Sequence, residues 1–100
     1  MYKKVLVTGG SGFLGRRIVQ ECKNYGYEVL SPRSAEVNLY DCENLLKFIK
    51  DNQPEVIVHS AAYYGGIGIN EAEPANLFHN NAVMTTNLYQ SAADGGVDKV

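Results

Sequence analysis

Cysteine is scarce in this chain. Cys22 and Cys42 stand far apart, without CxxC spacing, so neither a disulfide framework nor a cysteine-based zinc site is expected. They read as free thiols of a reducing compartment, which points to the cytoplasm. Long apolar runs are also missing. No stretch approaches the roughly 20 apolar residues that cross a bilayer. The opening "MYKKVLVTGG" has too short an apolar stretch before its glycines to be a secretory signal, and reads as a buried strand. Excess charge of one sign is lacking too. Nine Lys and Arg against eleven Asp and Glu give a formal net charge of −2, and no basic stripe marks a nucleic-acid surface. No His/Cys/Asp/Glu cluster has metal-ligand spacing. Membrane, nucleic acid and metal are therefore not expected partners.

Glycine, by contrast, is concentrated. Residues 7–17 read "VTGGSGFLGRR", with glycines at 9, 10, 12 and 15. Glycine weakens both strands and helices, so the backbone here must be bare for a reason. On one side lies "KKVLV", a β-branched and apolar run ending at Thr8-Gly9. On the other, Leu14, Ile18 and Cys22 recur at helical spacing with Val19 beside them, up to a glycine cap at Gly26.

The same alternation continues along the chain. "YEVLS" is a second strand closed by Pro32. Asp41 is a plausible N-cap for a helix carrying Leu45, Leu46 and Ile49, which ends near "DNQP". "EVIVHSAA" is a third strand, apolar almost throughout, as expected with both faces covered. After the loop "YYGGIGINEAEP", Pro74 can open a third helix, with Met84, Leu88 and Ala92 on one face until Gly95-Gly96. "VDKV" looks like the start of a fourth strand. Strands alternating with helices predict an α/β fold, a doubly wound, Rossmann-like parallel sheet with right-handed crossovers. In the order 3-2-1-4-5-6 a fourth strand would lie against the first. A strand four that has only begun would leave strand one with an open apolar edge, which soluble proteins avoid. Residues 1–100 are accordingly expected to be the N-terminal part of a dinucleotide-binding domain, with its remainder and a substrate domain beyond residue 100.

Two overlapping patterns run through the glycines: Gly10-x-Gly12-x-x-Gly15, and Gly9-x-x-Gly12-x-x-Gly15. Both serve one physics. The first glycine allows a tight turn off the strand. Gly12 lets a pyrophosphate approach the backbone, and Gly15 lets the helix pack closely on the sheet. The ligand then sits on the helix N-terminus, where unpaired N–H groups favour negative charge. A tight turn that binds nothing is the plainer alternative. Gly10-x-x-x-x-Gly15 has the glycine spacing of a P-loop, but Arg16-Arg17 replace its Lys-Ser/Thr pair, so nucleotide triphosphate hydrolysis is not expected. At the end of strand two, where an NAD site carries an acid for the ribose 2′-OH, the chain reads Ser31-Pro32-Arg33-Ser34. An arginine there suits a 2′-phosphate, so NADP is expected, with NAD as the alternative.

"VTGGSGFLG" resembles the opening of the extended short-chain dehydrogenase/reductase superfamily, NAD-dependent epimerase/dehydratase group. "NLYD" and "PEVIVHSAA" resemble the same group. There an Asp/Asn-Leu pair, here Asn38-Leu39, meets the adenine, and "SAA" ends a strand beside the cofactor. Asn81 and Asn87 match that group's spaced asparagines on the next helix. "AAYYGGIGINEAEPANLFHNNAVMTTN" and "RSAEVNLYD" are similar to the GDP-L-fucose synthase family. The resemblance implies cofactor-binding roles for Gly9, Gly10, Ser11, Gly12, Phe13, Leu14, Gly15, Arg33, Asn38, Leu39, Ala61, Ala62 and Asn81. It implies a nucleotide-sugar substrate, epimerisation and NADPH-dependent reduction of GDP-4-keto-6-deoxy-D-mannose, and a cytoplasmic homodimer at full length. Other nucleotide-sugar reductases, epimerases or dehydratases of the superfamily are the alternatives, dTDP-4-dehydrorhamnose reductase among them; so is a non-catalytic dinucleotide-binding module.

Catalytic residues are not expected within these 100 positions. In the family a Tyr-x-x-x-Lys pair serves the reduction, and none of the seven tyrosines here has lysine four residues on. Glycine-rich 63–70 is expected to line the sugar-nucleotide pocket. Glu71 and Glu73 read as a first-turn preference of the third helix rather than an acid–base pair. His59 reads as a strand-end or core histidine and His79 as structural.

Overall fold

The structure is a computed structural model that describes residues 4–33, 36–61 and 74–100. Strand β1 (Lys4–Thr8) leads into helix α1 (Phe13–Asn24). Strand β2 (Glu28–Leu30), helix α2 (Cys42–Asn52), strand β3 (Val56–His59) and helix α3 (Pro74–Gly95) follow. The three strands form one parallel sheet in the order β2-β1-β3.

Four consecutive residues of β1, Val5 to Thr8, are buried. Successive side chains point to opposite faces, so both faces are covered. Leu6 pairs with Leu30 on one side and Ile57 on the other, a cross-strand row on one face. Over that row sit Leu45 and Ile49 of α2 and Leu88 and Ala92 of α3, forming the core with Val37. Helix α1 packs on β1 and β2. The predicted helix ends hold. Asp41 accepts from the N–H groups of Glu43 and Asn44 at 3.1 and 3.2 Å. Gly26 takes a left-handed φ of 86°, and Tyr27 N–H closes α1 on the Cys22 carbonyl at 3.1 Å. Both cysteines are free, Cys22 half-buried in α1 and Cys42 exposed at the start of α2.

Two expectations are corrected. A fourth strand does not lie beside β1; β3 takes that place, because the connection through α2 carries the chain across β1 to its other edge. The "VDKV" segment makes its single parallel bridge to β3, Val56 to Lys99. Secondly, Leu14 is not on the buried face of α1: it is 63% exposed. The contact line runs through Gly15, the one fully buried residue of the helix, with Ile18, Val19 and Cys22 half-buried. His79, expected to be structural, is exposed on α3.

Candidate functional site

After β1 the chain turns to β2 on one side, and from there crosses to β3 on the other. The carboxyl ends of β1 and β3 therefore meet at a topological switch point, where open α/β sheets place their ligands. Gly9 follows β1, Ala61 lies just beyond β3, and both line a cleft of about 250 Å³.

The glycines resolve into separate tasks. Gly9 has a φ of 68°, and a Cβ on it would lie 2.8 Å from the Ala61 backbone. Gly10 is pressed against Ser31, whose Cβ would be 2.8 Å from an added methyl group. At Gly15 a Cβ would collide with the Gly9 carbonyl. These three are bare because the protein's own backbone or packing requires it. Gly12 differs. Its φ is −77°, and the nearest atom to an added Cβ is Gly9 O at 3.3 Å. Among the described residues beyond its chain neighbours, Gly9 O is the one atom that a side chain at Gly12 would press, and it would have to give by a few tenths of an ångström, a milder clash than at the other three glycines. Gly12 N–H closes the turn onto Gly9 O at 3.0 Å.

Gly12 is also the N-cap of α1. Among the described residues no side chain caps this helix, and no acidic residue occupies its first turn. The first N–H groups of Phe13, Leu14 and Gly15 are thus left at an electropositive end. Helix α2, capped by Asp41, has no such opening. A bare approach at Gly12 over an uncapped helix start fits a diphosphate bridge.

The cleft brings together seven of the predicted residues: Gly9, Gly10, Ser11, Arg33, Asn38, Leu39 and Ala61. Gly12, Phe13, Leu14 and Gly15 do not line it. Phe13 and Leu14 turn their side chains outward, 88% and 63% exposed, so only their backbone faces this end of the helix. Asn81 is half-buried in α3, three residues before Met84, and does not itself line the cleft. Ala62, the segment 63–70, Glu71 and Glu73 lie outside the described residues.

Sequence reasoning missed several contributors. Pro32 and Tyr40 line the cleft beside Arg33 and Asn38, and buried Val37 and Met84 floor it. The loop that carries Asn38 is tied down from two helices. Asn44 of α2 accepts from Asn38 N–H at 2.8 Å, and Asn87 of α3 donates to Leu39 O at 2.9 Å. Asn38 Oδ1 accepts from Tyr40 N–H at 2.9 Å, a local turn. Thr8, 5% exposed, is the other omission. Its hydroxyl bonds His59 Nδ1 at 2.7 Å and the N–H groups of Ser60 and Ala61 at 3.1 Å each. A threonine closing a buried apolar strand was the available signal. Burial holds the His59 imidazole below its usual range.

The model of the NAD dependent epimerase/dehydratase family matches residues 5–100. The chain is 36% identical over 90 residues to GDP-L-fucose synthase of Azorhizobium caulinodans, covering 90% of this chain and 29% of that one. It is 32% identical over 97 residues to GDP-L-colitose synthase of Yersinia pseudotuberculosis, covering 97% and 32%. The structure of UDP-glucose 4-epimerase from Thermus thermophilus, complexed with NAD, superposes with a TM-score of 0.80 at 28% identity, covering 94% of this chain and 35% of that one. The chain thus spans about a third of the length of the proteins it matches.

Proposed function

The chain belongs to the NAD dependent epimerase/dehydratase family, and from that premise we propose that it is the N-terminal, dinucleotide-binding part of a nucleotide-sugar epimerase/reductase that uses NADPH. The supporting observation is Gly12: the least crowded of the four turn glycines among the described residues, at a helix start without a side-chain cap, beside a cleft. Gly9 and Gly10 shape the turn, Gly15 seats the helix, and Gly12 with the N–H groups of Phe13 and Leu14 holds the diphosphate. Ser11 adds a hydroxyl at the rim. Exposed Arg33 receives the 2′-phosphate, since a guanidinium fork matches its oxygens. Asn38 and Leu39 take the adenine end, Ala61 and Ala62 leave room over the end of β3, and Asn81 supports the nicotinamide side.

Bound NADPH supplies a hydride for reduction of a sugar ketone. The residues of this chain bind and orient it. The proton-handling groups belong to the rest of the whole protein, as no Tyr-x-x-x-Lys occurs in these 100 residues. Within the family, we favour GDP-L-fucose synthesis from GDP-4-keto-6-deoxy-D-mannose by a cytoplasmic homodimer. The 36% identity to a GDP-L-fucose synthase supports this, together with the "GGIGIN" stretch.

Fluorescence titration of the chain with NADPH and NADH tests the cofactor reading. NADPH is expected to bind about tenfold or more tightly than NADH, from the charge-assisted bonds to the extra phosphate. Binding of neither would overturn it. Turnover of GDP-4-keto-6-deoxy-D-mannose by the whole protein tests the substrate, and turnover of a different nucleotide sugar alone would overturn that assignment.

A further inference from the structure

Thr8 Oγ1 has three partners. The N–H groups of Ser60 and Ala61 both reach it at 3.1 Å, Ser60 N–H being shared with Thr8 O at 3.2 Å. The third is His59 Nδ1 at 2.7 Å. A hydroxyl offers one proton and two lone pairs. The two backbone donors occupy the lone pairs, so the hydroxyl proton goes to Nδ1. Nδ1 therefore carries no proton of its own. A neutral ring then holds its proton on Nε2, which faces Thr85 Oγ1 of α3 at 3.2 Å.

We propose that His59 is a positioning residue for the dinucleotide cleft: as the neutral Nε2–H tautomer it fixes the Thr8 hydroxyl, which holds the end of β3 against Gly9. This rests on the dinucleotide reading above. Thr8, Gly9 and Ala61 all line the cleft, and Gly9 and Ala61 are in backbone contact. This knot thus fixes the side of the cleft that Thr8, Gly9 and Ala61 form.

An imidazolium does not fit the knot unchanged. It would bring a third N–H donor to Thr8 Oγ1 and leave the hydroxyl proton without an acceptor. The hydroxyl would have to release Ser60 or Ala61. Burial of the ring acts in the same direction, against its charged form. Among the described residues, Thr8 of β1 and Thr85 of α3 bond the ring, and Tyr89 of α3 and Lys99 beside β3 share the groove that His59 lines. Among the described residues lining that groove none is acidic, so no carboxylate there favours the imidazolium. Acidification is thus expected to loosen the cleft.

Two measurements on the full chain test this. Two-bond 1H–15N correlation at about pH 7.5, above the histidine range, should show His59 Nδ1 unprotonated and Nε2 protonated. NADPH titration between about pH 5 and 8 should show wild-type affinity falling about tenfold as the ring charges, the equivalent of one hydrogen bond. His59→Asn offers an amide oxygen to the Thr8 hydroxyl. It should bind like wild type at the upper pH and lose most of the acid-dependent fall. His59→Leu should bind about tenfold more weakly throughout. An Nδ1–H tautomer, a His59→Leu that binds like wild type, or a His59→Asn with the wild-type pH profile each overturns the proposal. If His59→Leu does not fold, the His59→Asn profile decides. Wild type that binds no dinucleotide, with the Nε2–H tautomer intact, sinks the cofactor reading and the positioning role with it. Dinucleotide binding with the Nδ1–H tautomer sinks the positioning role alone.

Discussion

Gly15 of α1 lies so close to Gly9 at the end of β1 that a Cβ on Gly15 would overlap the Gly9 carbonyl oxygen and stand 2.9 Å from Ser60 Oγ. This contact sets how closely the helix rides on the sheet. Gly15→Ala must push the two apart, and is expected to cost about 2–3 kcal/mol of stability, the range for overpacking a tight contact. Urea denaturation measures it; an unchanged midpoint would show that the helix can shift freely.

Gly12→Ala should behave in the opposite way. The nearest atom to the new methyl group is Gly9 O at 3.3 Å, so the stability cost should stay within about 1 kcal/mol, that of a poorer N-cap. NADPH affinity should fall about tenfold or more, because the methyl group occupies the approach to the uncapped N–H groups. Unaltered NADPH binding in Gly12→Ala would count against a diphosphate at this corner.

Arg33→Ala tests the cofactor's phosphate. Arg33 is exposed at the cleft rim. Its loss should weaken NADPH binding by about tenfold or more and leave NADH binding within about twofold, as expected for a charge-assisted contact to one group. Equal losses for both coenzymes would place the guanidinium elsewhere.

Asp41→Ala removes both side-chain bonds at the start of α2. Stability should drop by about 1 kcal/mol, read from the denaturant midpoint. The effect should reach the cleft only weakly, since Asn44 and Asn87 continue to hold the loop that carries Asn38.

The acid limb of the stability profile should carry the signature of His59. Its folded pKa is lowered from 6.5 by burial. In the folded state it binds protons less readily than in the unfolded chain. Its contribution is therefore present in full above the unfolded value of 6.5, and is lost as pH falls through the lower folded value. Denaturant midpoints measured against pH should show a shallower fall from pH 6.5 downward in His59→Asn than in wild type. Parallel curves would mean that the ring charges without cost.

Much of the fold could be read from neighbours in sequence. Asp41 capped the helix it was expected to cap, and Gly26 ended α1, because capping groups act within a turn of the residue that carries them. Leu88 and Ala92 reached the core because helical spacing puts them on one face. The same logic misplaced Leu14. At the first turn of α1 the apolar spacing continues onto an exposed face, while Gly15 takes the buried line against Gly9 and Ser60. In the cleft, Asn38, Leu39 and Ala61 were named from motifs, while the bonds made by Thr8 and Asn87 were not foreseen. Thr8 and Asn87 act on partners 51 to 53 and 48 positions away, distances at which sequence spacing carries no information.

The amino-acid sequence by itself determined the alternation of strands and helices, their caps, and a bare turn between β1 and α1. Each of these depends on backbone preferences and contacts within a few residues. Only the tertiary structure decided that β3 rather than a fourth strand flanks β1, that Gly12 is the least crowded of the four turn glycines among the described residues, and that the Thr8 hydroxyl meets His59 Nδ1 and the N–H groups of Ser60 and Ala61. Those outcomes depend on which distant segments share a sheet edge, and on how many donors and acceptors converge once they do.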